Sequence, residues 1–347
     1  MVALLAVAGW LAWATFLPVT PSGQTFVLLR NGYSIRRIAS ELKAAGVIRS
    51  RRAFILLNYF HSRGSLKAGE YLFEKPATAL DVQQRLARGD IYVRTLVIPE
   101  GFNMYDIADA VQNAGLGARQ DFLKVATSDT ALISDLAPQA TSLEGYLFPN
   151  TYEFTRTQTV EDIATAMVRQ FRQAATELGL TSHVQNTLTL ASIIEKETAV
   201  AEERPEVASV YYNRLKRNMP LQADPSVIYA ELLQGVYPGA LHHGDMQFNS
   251  AYNTYTRAGL PPGPICNPGK SAMAAAMHPA STDFLYFVSD GNSHHRFSRN
   301  LEEHNRNVAA YRKLVAGKRY GAHPAHERQL HSKVGLRRVA FSTYSVS

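Results

Sequence analysis

The chain has 347 residues, of which 46% are hydrophobic and 19% charged, and this composition allows a sizeable core and more than one domain. Its single cysteine, Cys266, excludes an intrachain disulfide bond. The formal net charge of +7 suits an anionic membrane surface, an acidic cell-wall polymer or a nucleic acid as partner. We expect no nucleic-acid binding, because no Arg/Lys stripe alternates with aromatic residues along a predicted helix or strand.

Residues 1–19, MVALLAVAGWLAWATFLPV, form an N-terminal segment without a charged residue. The apolar stretch is at the short end of the lengths that cross a bilayer, and it predicts a single-pass anchor in the cytoplasmic membrane. A secretory signal peptide is the alternative, because Ala12, Trp13 and Ala14 resemble a cleavage site. We favour the anchor, although the basic residues that usually precede an apolar core are missing. Under both interpretations, the rest of the chain lies on the outer side of the membrane.

An internal repeat organises the first half of the chain. Segments 31–46 and 100–115 share glycines and apolar residues at a constant offset. Each has an N-cap residue type at its fourth position, Ser34 or Asn103, and ends with a C-cap glycine, Gly46 or Gly115. Each copy follows a β-like run, precedes a second helical pattern and is closed by another strand-like run. The sequence therefore predicts an α+β fold with a duplicated strand-helix-helix-strand unit. In this order of elements the first copy resembles a LysM carbohydrate-binding module, and a structural spacer is the alternative.

Two acids interrupt the nearly apolar helix predicted over residues 186–200. Glu195 and Glu197 lie on roughly opposite sides of that helix, so they cannot both point into one cleft. Burial raises the pKa of a carboxyl, and a carboxyl that stays protonated near neutral pH can serve as a general acid. The alternative is a structural role for either glutamate, as an ion pair with Arg204 or Lys196 or as a cap of the next segment.

The segments that follow contribute polar and aromatic candidates for binding. Gln222 and Asp224 lie on a turn that leads into a helix, where Asp224 before a proline is also a plausible N-cap. Asn253 and Tyr255 lie in an amide-rich and aromatic loop over residues 248–269, which suits sugar hydroxyls and ring faces. Such a composition is also typical of a turn-forming loop. The histidines lack the spacing of metal ligands, so we expect no metal site, and we expect no cofactor.

Several motifs occur in a characteristic order along the chain. They are SLEGYLFPNTYEF, ASIIEKETAVAEERPEVASVYYNRL, MPLQADPSVIYA, YNTYTRAGLPPGPICNPG, AAAMHPA and LYFVSDGNSHHRFSRNLEEHN. In sequence and order they resemble the MltG (YceG-like) family of endolytic peptidoglycan transglycosylases, and the resemblance runs from the N-terminal segment to residue 316.

The resemblance implies a reaction and a catalytic residue. Glu195 matches the family's catalytic acid, which would protonate the glycosidic oxygen of the MurNAc–GlcNAc β-1,4 bond. The same residue would then act as base toward the MurNAc C6 hydroxyl, which attacks the anomeric carbon and leaves a 1,6-anhydroMurNAc end. An internal nucleophile explains why one carboxylate suffices, whereas ordinary glycosidases need two. Orienting or sugar-binding roles are hypotheses for the remaining candidates, which are Glu197, Gln222, Asp224, Asn253 and Tyr255.

The resemblance also implies a cellular role, in which the enzyme ends the elongation of glycan strands beside cell-wall synthases. A lysozyme-like hydrolase is one alternative, and it would need a second carboxylate, for which Asp224 is the candidate. A cell-wall-binding scaffold without catalysis is the other. The expected domains are an anchor (1–19), a LysM-like domain (24–95), a second repeat-like unit (96–175), a mixed α/β catalytic core (176–316) and a basic, disordered tail (317–347).

Overall fold

The computed structural model describes residues 1–61 and 65–320. Within these ranges, the strands pair into three two-stranded antiparallel sheets among many helices, a mixed α/β architecture. The elements in chain order are α1 (Val2–Phe16), β1 (Thr25–Leu29), α2 (Ile35–Ala44), α3 (Arg51–His61), β2 (Gly69–Phe73), α4 (Ala79–Arg88), β3 (Arg94–Val97), α5 (Met104–Asn113), α6 (Arg119–Ser128), β4 (Thr151–Phe154), α7 (Val160–Leu178), α8 (Val184–Glu197), α9 (Arg204–Lys216), α10 (Asp224–Gln234), α11 (Lys270–Met277), β5 (Tyr286–Ser289), β6 (His295–Ser298) and α12 (Leu301–Tyr320).

The chain divides into two compact units, and it passes between them more than once. The first unit comprises residues 1–97, 109–121 and 151–163, and the second comprises residues 98–108, 122–150 and 164 onward.

The first unit contains the predicted order of strand, helix, helix and strand in β1, α2, α3 and β2. Strands β1 and β2 pair antiparallel, with Thr25 opposite Phe73. The Ser34 hydroxyl caps α2 by accepting a hydrogen bond from the Arg37 N–H, as predicted. Apolar residues of both strands and both helices share one core, among them Leu29, Leu42, Phe54, Leu57 and Tyr71.

Strands β3 and β4 flank a second stretch of helices, α5 and α6, and pair antiparallel with Arg94 opposite Phe154. The predicted cap of α5 is present, since Asn103 Oδ1 accepts hydrogen bonds from the Tyr105 and Asp106 N–H groups at 2.9 and 3.0 Å. The predicted C-terminal glycines after α2 and α5 adopt the left-handed conformation that glycine tolerates best, with φ of 71° at Gly46 and 66° at Gly115.

A buried acid joins the two sheets of the first unit. The side chain of Glu70 on β2 is only 1% exposed, and its oxygens lie 3.5 Å from Arg94 Nη2 and 3.3 Å from Arg156 Nη1. Because an unpaired buried carboxylate is costly, these two arginines make the position of Glu70 tolerable.

Helix α1 packs against α3 and α4 near its C-terminal end, where Ala14 and Thr15 are buried. The Arg49 guanidinium lies 5.1 Å from the centre of the Trp13 ring and donates hydrogen bonds to the Pro18 carbonyl. Several large apolar side chains of α1, including Leu5, Val7, Trp10 and Phe16, are exposed. Of the helices in residues 1–61 and 65–320, none combines the length and the apolar character that crossing a membrane requires.

Helix α8 is the buried centre of the second unit and packs against α9, α10 and α11. Its apolar residues, including Leu188, Leu190, Ile193 and Ile194, are fully or almost fully buried, which is expected of a helix whose apolar residues lie on more than one side. The helix ends earlier than the predicted residue 200, because Thr198 is extended.

Two other boundaries differ from those predicted. The strand expected over residues 283–290 is shorter and covers only β5, Tyr286–Ser289. Just before β5, the Asn213 side-chain amide donates to the Thr282 and Phe284 carbonyls at 2.9 Å. Helix α12 continues to Tyr320, so the first residues of the expected tail are helical, and residues 321–347 lie outside the described part of the chain.

Candidate active site

The last turn of α8 places Glu195 beside the first residue of α9. Arg204 Nη2 donates a hydrogen bond to Glu195 Oε1 at 2.8 Å, and the two side chains are only 7% and 6% exposed. The second carboxylate oxygen, Oε2, accepts the N–H of Gly269, which precedes α11, at 3.0 Å. Both oxygens of this buried acid are therefore held by donors from other elements of the second unit.

The structural ion pair that the sequence left open for Glu195 is present, and its partner is Arg204. Lys196, the other candidate partner, donates to the Gly101 carbonyl at 3.3 Å. Burial raises the pKa of Glu195, and the charge of Glu100 raises it further, whereas the Gly269 N–H, Arg204 and Lys196 lower it. The net direction is upward, so the carboxyl binds its proton more tightly than an exposed glutamate does.

Glu100 is a site residue that the sequence reasoning missed. Its Oε2 lies 3.8 Å from Arg204 Nη1, and its side chain is half exposed. A Cβ atom built on Gly269 would lie 1.8 Å from Glu100 Oε1, so the Glu100 carboxylate occupies the space above that glycine. The internal repeat contains a signal for Glu100, because the second copy has this acid at the position where the first copy has the neutral Asn31.

Glu197 points away from Glu195, as the helical spacing predicted. It accepts a hydrogen bond from the Tyr211 hydroxyl and lies near Asp224 and Arg214. Burial and the charge of Asp224 raise the pKa of Glu197 to about 8.

Asp224 pairs with a tyrosine of the loop over residues 248–269. The Tyr255 hydroxyl donates to Asp224 Oδ1 at 2.5 Å, and burial raises the pKa of Asp224 to about 6. The N-cap prediction for Asp224 is wrong. Ala223 occupies the cap position without a side-chain cap, and Asp224 is the first helical residue. Its carboxylate binds the tyrosine instead.

The other two candidates hold the surrounding backbone. Gln222 has φ of 52°, and its side-chain oxygen accepts from Arg214 Nη1 at 3.1 Å. Asn253 is fully buried, donates to the Met246 and Phe248 carbonyls and accepts the Tyr255 N–H at 2.9 Å. The structure thus brings Glu197, Gln222 and Tyr255 together near Arg214, on the other side of α8 from the partners of Glu195. Asp224 joins this group through Tyr255 and Glu197.

A second missed residue, Glu144, belongs to the SLEGYLFPNTYEF motif. Its Oε2 accepts the Met104 N–H at 2.9 Å and the Tyr229 hydroxyl at 3.0 Å, and its Oε1 accepts Asn267 Nδ2 at 2.9 Å. Burial raises the pKa of Glu144 to about 8. Asn267 lies two residues before Gly269, so this network fixes the backbone that presents its N–H to Glu195.

The same loop is also fastened to α8 itself. The Ile265 N–H donates to the buried Ser192 hydroxyl at 3.0 Å, and the Cys266 thiol lies 3.3 Å from the Ser192 carbonyl. Burial raises the pKa of the Cys266 thiol, which stays protonated and serves in packing.

A buried acid with an upward pKa shift, held by an arginine and a backbone N–H, can donate a proton and then exist as a stabilised carboxylate. This is the chemistry of a general acid that later acts as a base.

Comparison with known proteins identifies the family of this chain. A profile of the YceG-like family matches residues 27–310. A protein of Bacillus subtilis named endolytic murein transglycosylase is 34% identical over 316 residues, which cover 85% of this chain and 87% of the relative. A protein of the same name from Streptococcus pneumoniae is 30% identical and covers 89% of this chain, which spans 63% of that longer relative.

A solved structure is also similar. The crystal structure of a putative yceG-like protein from Listeria monocytogenes matches 82% of this chain and 98% of its own, with a TM-score of 0.53 and 34% identity. The sequence and structure comparisons agree, and this chain belongs to the YceG-like family.

Proposed function

We propose that this protein is an endolytic murein transglycosylase, a lyase that cleaves the MurNAc–GlcNAc β-1,4 bond inside a peptidoglycan strand, with Glu195 as its acid and base. One observation carries the proposal. Glu195 is a buried carboxyl whose pKa lies above its ordinary value, and both of its oxygens face donors of the protein. The names of the relatives from Bacillus and Streptococcus support the same activity.

The reaction has two proton transfers at Glu195. The protonated carboxyl gives its proton to the glycosidic oxygen as the bond to the MurNAc anomeric carbon breaks. The carboxylate that forms is stabilised by Arg204 Nη2 and the Gly269 N–H. It then accepts the proton of the MurNAc C6 hydroxyl, whose oxygen bonds to the anomeric carbon. The products are a free GlcNAc 4-hydroxyl and a 1,6-anhydroMurNAc end, and Glu195 regains its proton.

The remaining candidates have supporting roles in this proposal. Asp224 and Tyr255 present a carboxylate and a phenol to sugar hydroxyls, since both are partly accessible and share one hydrogen bond. Glu197 and Gln222 orient them through Arg214. Asn253 acts through the loop backbone, because its amide is fully engaged there.

Hydrolysis of lysozyme type is the second candidate function. A hydrolase needs a second carboxylate near the scissile bond. The Glu100 carboxylate lies 3.8 Å from Arg204, the arginine that binds Glu195, whereas Asp224 binds Tyr255. Such an enzyme would add water across the glycosidic bond and leave a reducing sugar end.

The proposal is tested with the full chain and purified glycan strands, with the products resolved by mass. The wild type is expected to release anhydro-ended fragments, and Glu195→Gln to release none. Glu202→Gln is the control, because Glu202 is an exposed acid of the turn before α9. Retention of anhydro products by a folded Glu195→Gln variant would refute the role of Glu195. A folded wild type without cleavage would favour a non-catalytic scaffold.

The placement of the protein in the cell is a separate proposal. We infer that α1 binds the cytoplasmic membrane through its exposed apolar side chains. We further propose that residues 24–95 form a LysM-like glycan-binding domain, that residues 96–175 are a duplicate of it, and that residues 176–316 form the catalytic core. This core would act near the cell-wall synthases on the outer side of the membrane. Both tryptophans of the chain, Trp10 and Trp13, lie on α1, so brominated lipids should quench the fluorescence of the full chain if α1 enters the bilayer. Unchanged fluorescence would refute the inference.

A further inference from the structure

We propose that Glu100 is a positioning residue of the Glu195 site, which shares the Arg204 guanidinium with Glu195 and so controls how tightly that guanidinium holds the Glu195 carboxylate. This inference rests on the proposed function, because it gives Glu195 the role of acid and base.

The geometry divides one guanidinium between two carboxylates. Nη2 of Arg204 lies 2.8 Å from Glu195 Oε1, whereas Nη1 lies 3.8 Å from Glu100 Oε2. Glu195 and Arg204 are almost completely buried, whereas the Glu100 side chain is 51% exposed. The first contact is a close, charge-assisted hydrogen bond, and the second is a looser ion pair open to solvent.

Glu100 is held in this place by its surroundings. The carboxylate lies above Gly269, where a built Cβ would come within 1.8 Å of Oε1, and Gly269 has φ of −78°, which any residue can adopt. The absence of a side chain at Gly269 therefore provides space for Glu100 and is not needed for backbone conformation. The Gly101 N–H donates to the Asn267 carbonyl at 3.0 Å, which ties the Glu100 segment to the same loop.

The charges facing Glu195 come from several elements. Arg204 lies on α9, Glu100 follows β3, Lys196 is on α8 itself, and the Gly269 N–H precedes α11. A guanidinium held only by Glu195 would favour the carboxylate form and oppose proton donation. Glu100 counteracts this in two ways. Its negative charge disfavours a second negative charge at Glu195, and its carboxylate gives Arg204 another partner when Glu195 is protonated.

The test compares the pH dependence of kcat for full-length wild type, Glu100→Gln and the control Glu202→Gln. The alkaline limb of the profile reports the loss of the proton from Glu195. Without the Glu100 charge, the pKa of Glu195 falls, so the limb should move to lower pH by roughly one unit. On the alkaline side, Glu100→Gln should therefore turn over about tenfold more slowly than wild type, while both reach similar rates on the acid plateau. Glu202→Gln should keep the wild-type limb.

A second measurement separates this inference from the proposed function. The titration of the Glu195 carboxyl, followed by carbon NMR in wild type and Glu100→Gln, reports the coupling even if the reaction is a different one. A lower pKa of Glu195 in the variant supports the inference, and an unchanged pKa overturns it. If Glu100→Gln does not fold, Glu100→Asp keeps the charge but retracts it from Arg204, and a smaller shift in the same direction is expected.

Discussion

Arg204 Nη2 lies 2.8 Å from Glu195 Oε1, and both side chains are more than nine-tenths buried. A buried ion pair usually holds its acid ionised, yet here burial and Glu100 outweigh the arginine and raise the pKa of Glu195. The Glu195 carboxyl therefore holds its proton more tightly than an exposed glutamate does, and the Gly269 N–H and Arg204 stabilise the carboxylate once the proton has left. That balance is what a residue needs when it first donates a proton and then accepts one.

Removal of Arg204 should shift this balance in the opposite direction to removal of Glu100. In Arg204→Met, the Glu195 carboxylate loses its cation, so the pKa of Glu195 rises and kcat falls. The free energy of unfolding should decrease by about 3–5 kcal/mol at pH 8, because a buried carboxylate is left unpaired. The loss should be smaller at pH 5, where Glu195 can be neutral. Urea unfolding at both values measures the difference.

The matched control for this variant is Arg172→Met. Arg172 binds Asp135 in a partly exposed pair, with distances of 2.6 and 2.9 Å. Removal of such a pair should cost much less than removal of the buried Arg204–Glu195 pair, because solvent screens exposed charges. The pKa of Asp135 is lowered to about 2 by Arg172, so the loss should be equal at pH 5 and pH 8. An equal loss for both arginine variants at both pH values would mean that Glu195 is not held by Arg204 in solution.

Gly269→Ala should damage the site without unfolding the protein. The new methyl group would meet the Glu100 carboxylate, and displacement of that side chain alters both contacts of Arg204. We expect kcat to fall by roughly tenfold or more, since small misplacements of catalytic groups are costly. Gly244→Ala is the control, because its Cβ would have nothing within 4 Å. Equal activity of the two variants would show that the space above Gly269 is not needed.

The sequence predicted the local features of the fold well. Ser34 and Asn103 cap their helices and Gly46 and Gly115 end them, because capping depends on residues a few positions apart. Asp224 is the exception among the caps. Its carboxylate binds Tyr255, which lies 31 residues away in sequence, and no local pattern contains that competitor.

The site was less predictable than the helices. The helical period correctly placed Glu195 and Glu197 on different sides of α8. Arg204 could be predicted as an ion-pair partner of Glu195 because it is close in sequence. Glu100 and Glu144 were missed since their partners, Arg204 and Asn267, are more than a hundred residues away along the chain. Such contacts depend on tertiary packing, for which a single sequence carries no periodic signal.

The stability of the protein should fall as pH rises from about 4.5 to 8, partly because of Glu144. The folded state raises the pKa of Glu144 from 4.5 to about 8, so in this window the folded protein binds a proton that the unfolded chain releases. The contribution is present in full below the unfolded pKa and is lost as pH rises through the folded one. Glu197 and Asp224 act in the same direction.

Glu144→Gln tests this account of the buried network. At pH 5 the variant should lose about 1–3 kcal/mol of unfolding free energy. The reason is that the N–H groups of its side-chain amide would face a hydrogen-bond donor of Met104, Tyr229 or Asn267. Between pH 5 and pH 8 it should then lose less further stability than wild type. Glu161→Gln, an exposed position on α7, should follow the wild-type curve. Identical pH slopes for wild type and Glu144→Gln would show that Glu144 does not hold a proton in the folded protein.

Tyr255→Phe removes the hydrogen bond that favours the ionised form of Asp224. The pKa of Asp224 should rise above its present value of about 6. If Asp224 binds glycan as a carboxylate, KM should increase at pH 6 and recover partly at pH 8, while kcat changes less. The exposed Tyr59→Phe is the control. A KM that does not depend on pH in this range would exclude Asp224 from substrate binding.

The most direct test of the central claim is the origin of the oxygen at the new glycan end. The full chain is incubated with purified glycan strands in water labelled with oxygen-18, and the released ends are analysed by mass. An internal attack by the C6 hydroxyl predicts 1,6-anhydroMurNAc ends that lack the mass of one water and carry no label. Reducing ends that carry one labelled oxygen would contradict the account and identify the enzyme as a hydrolase.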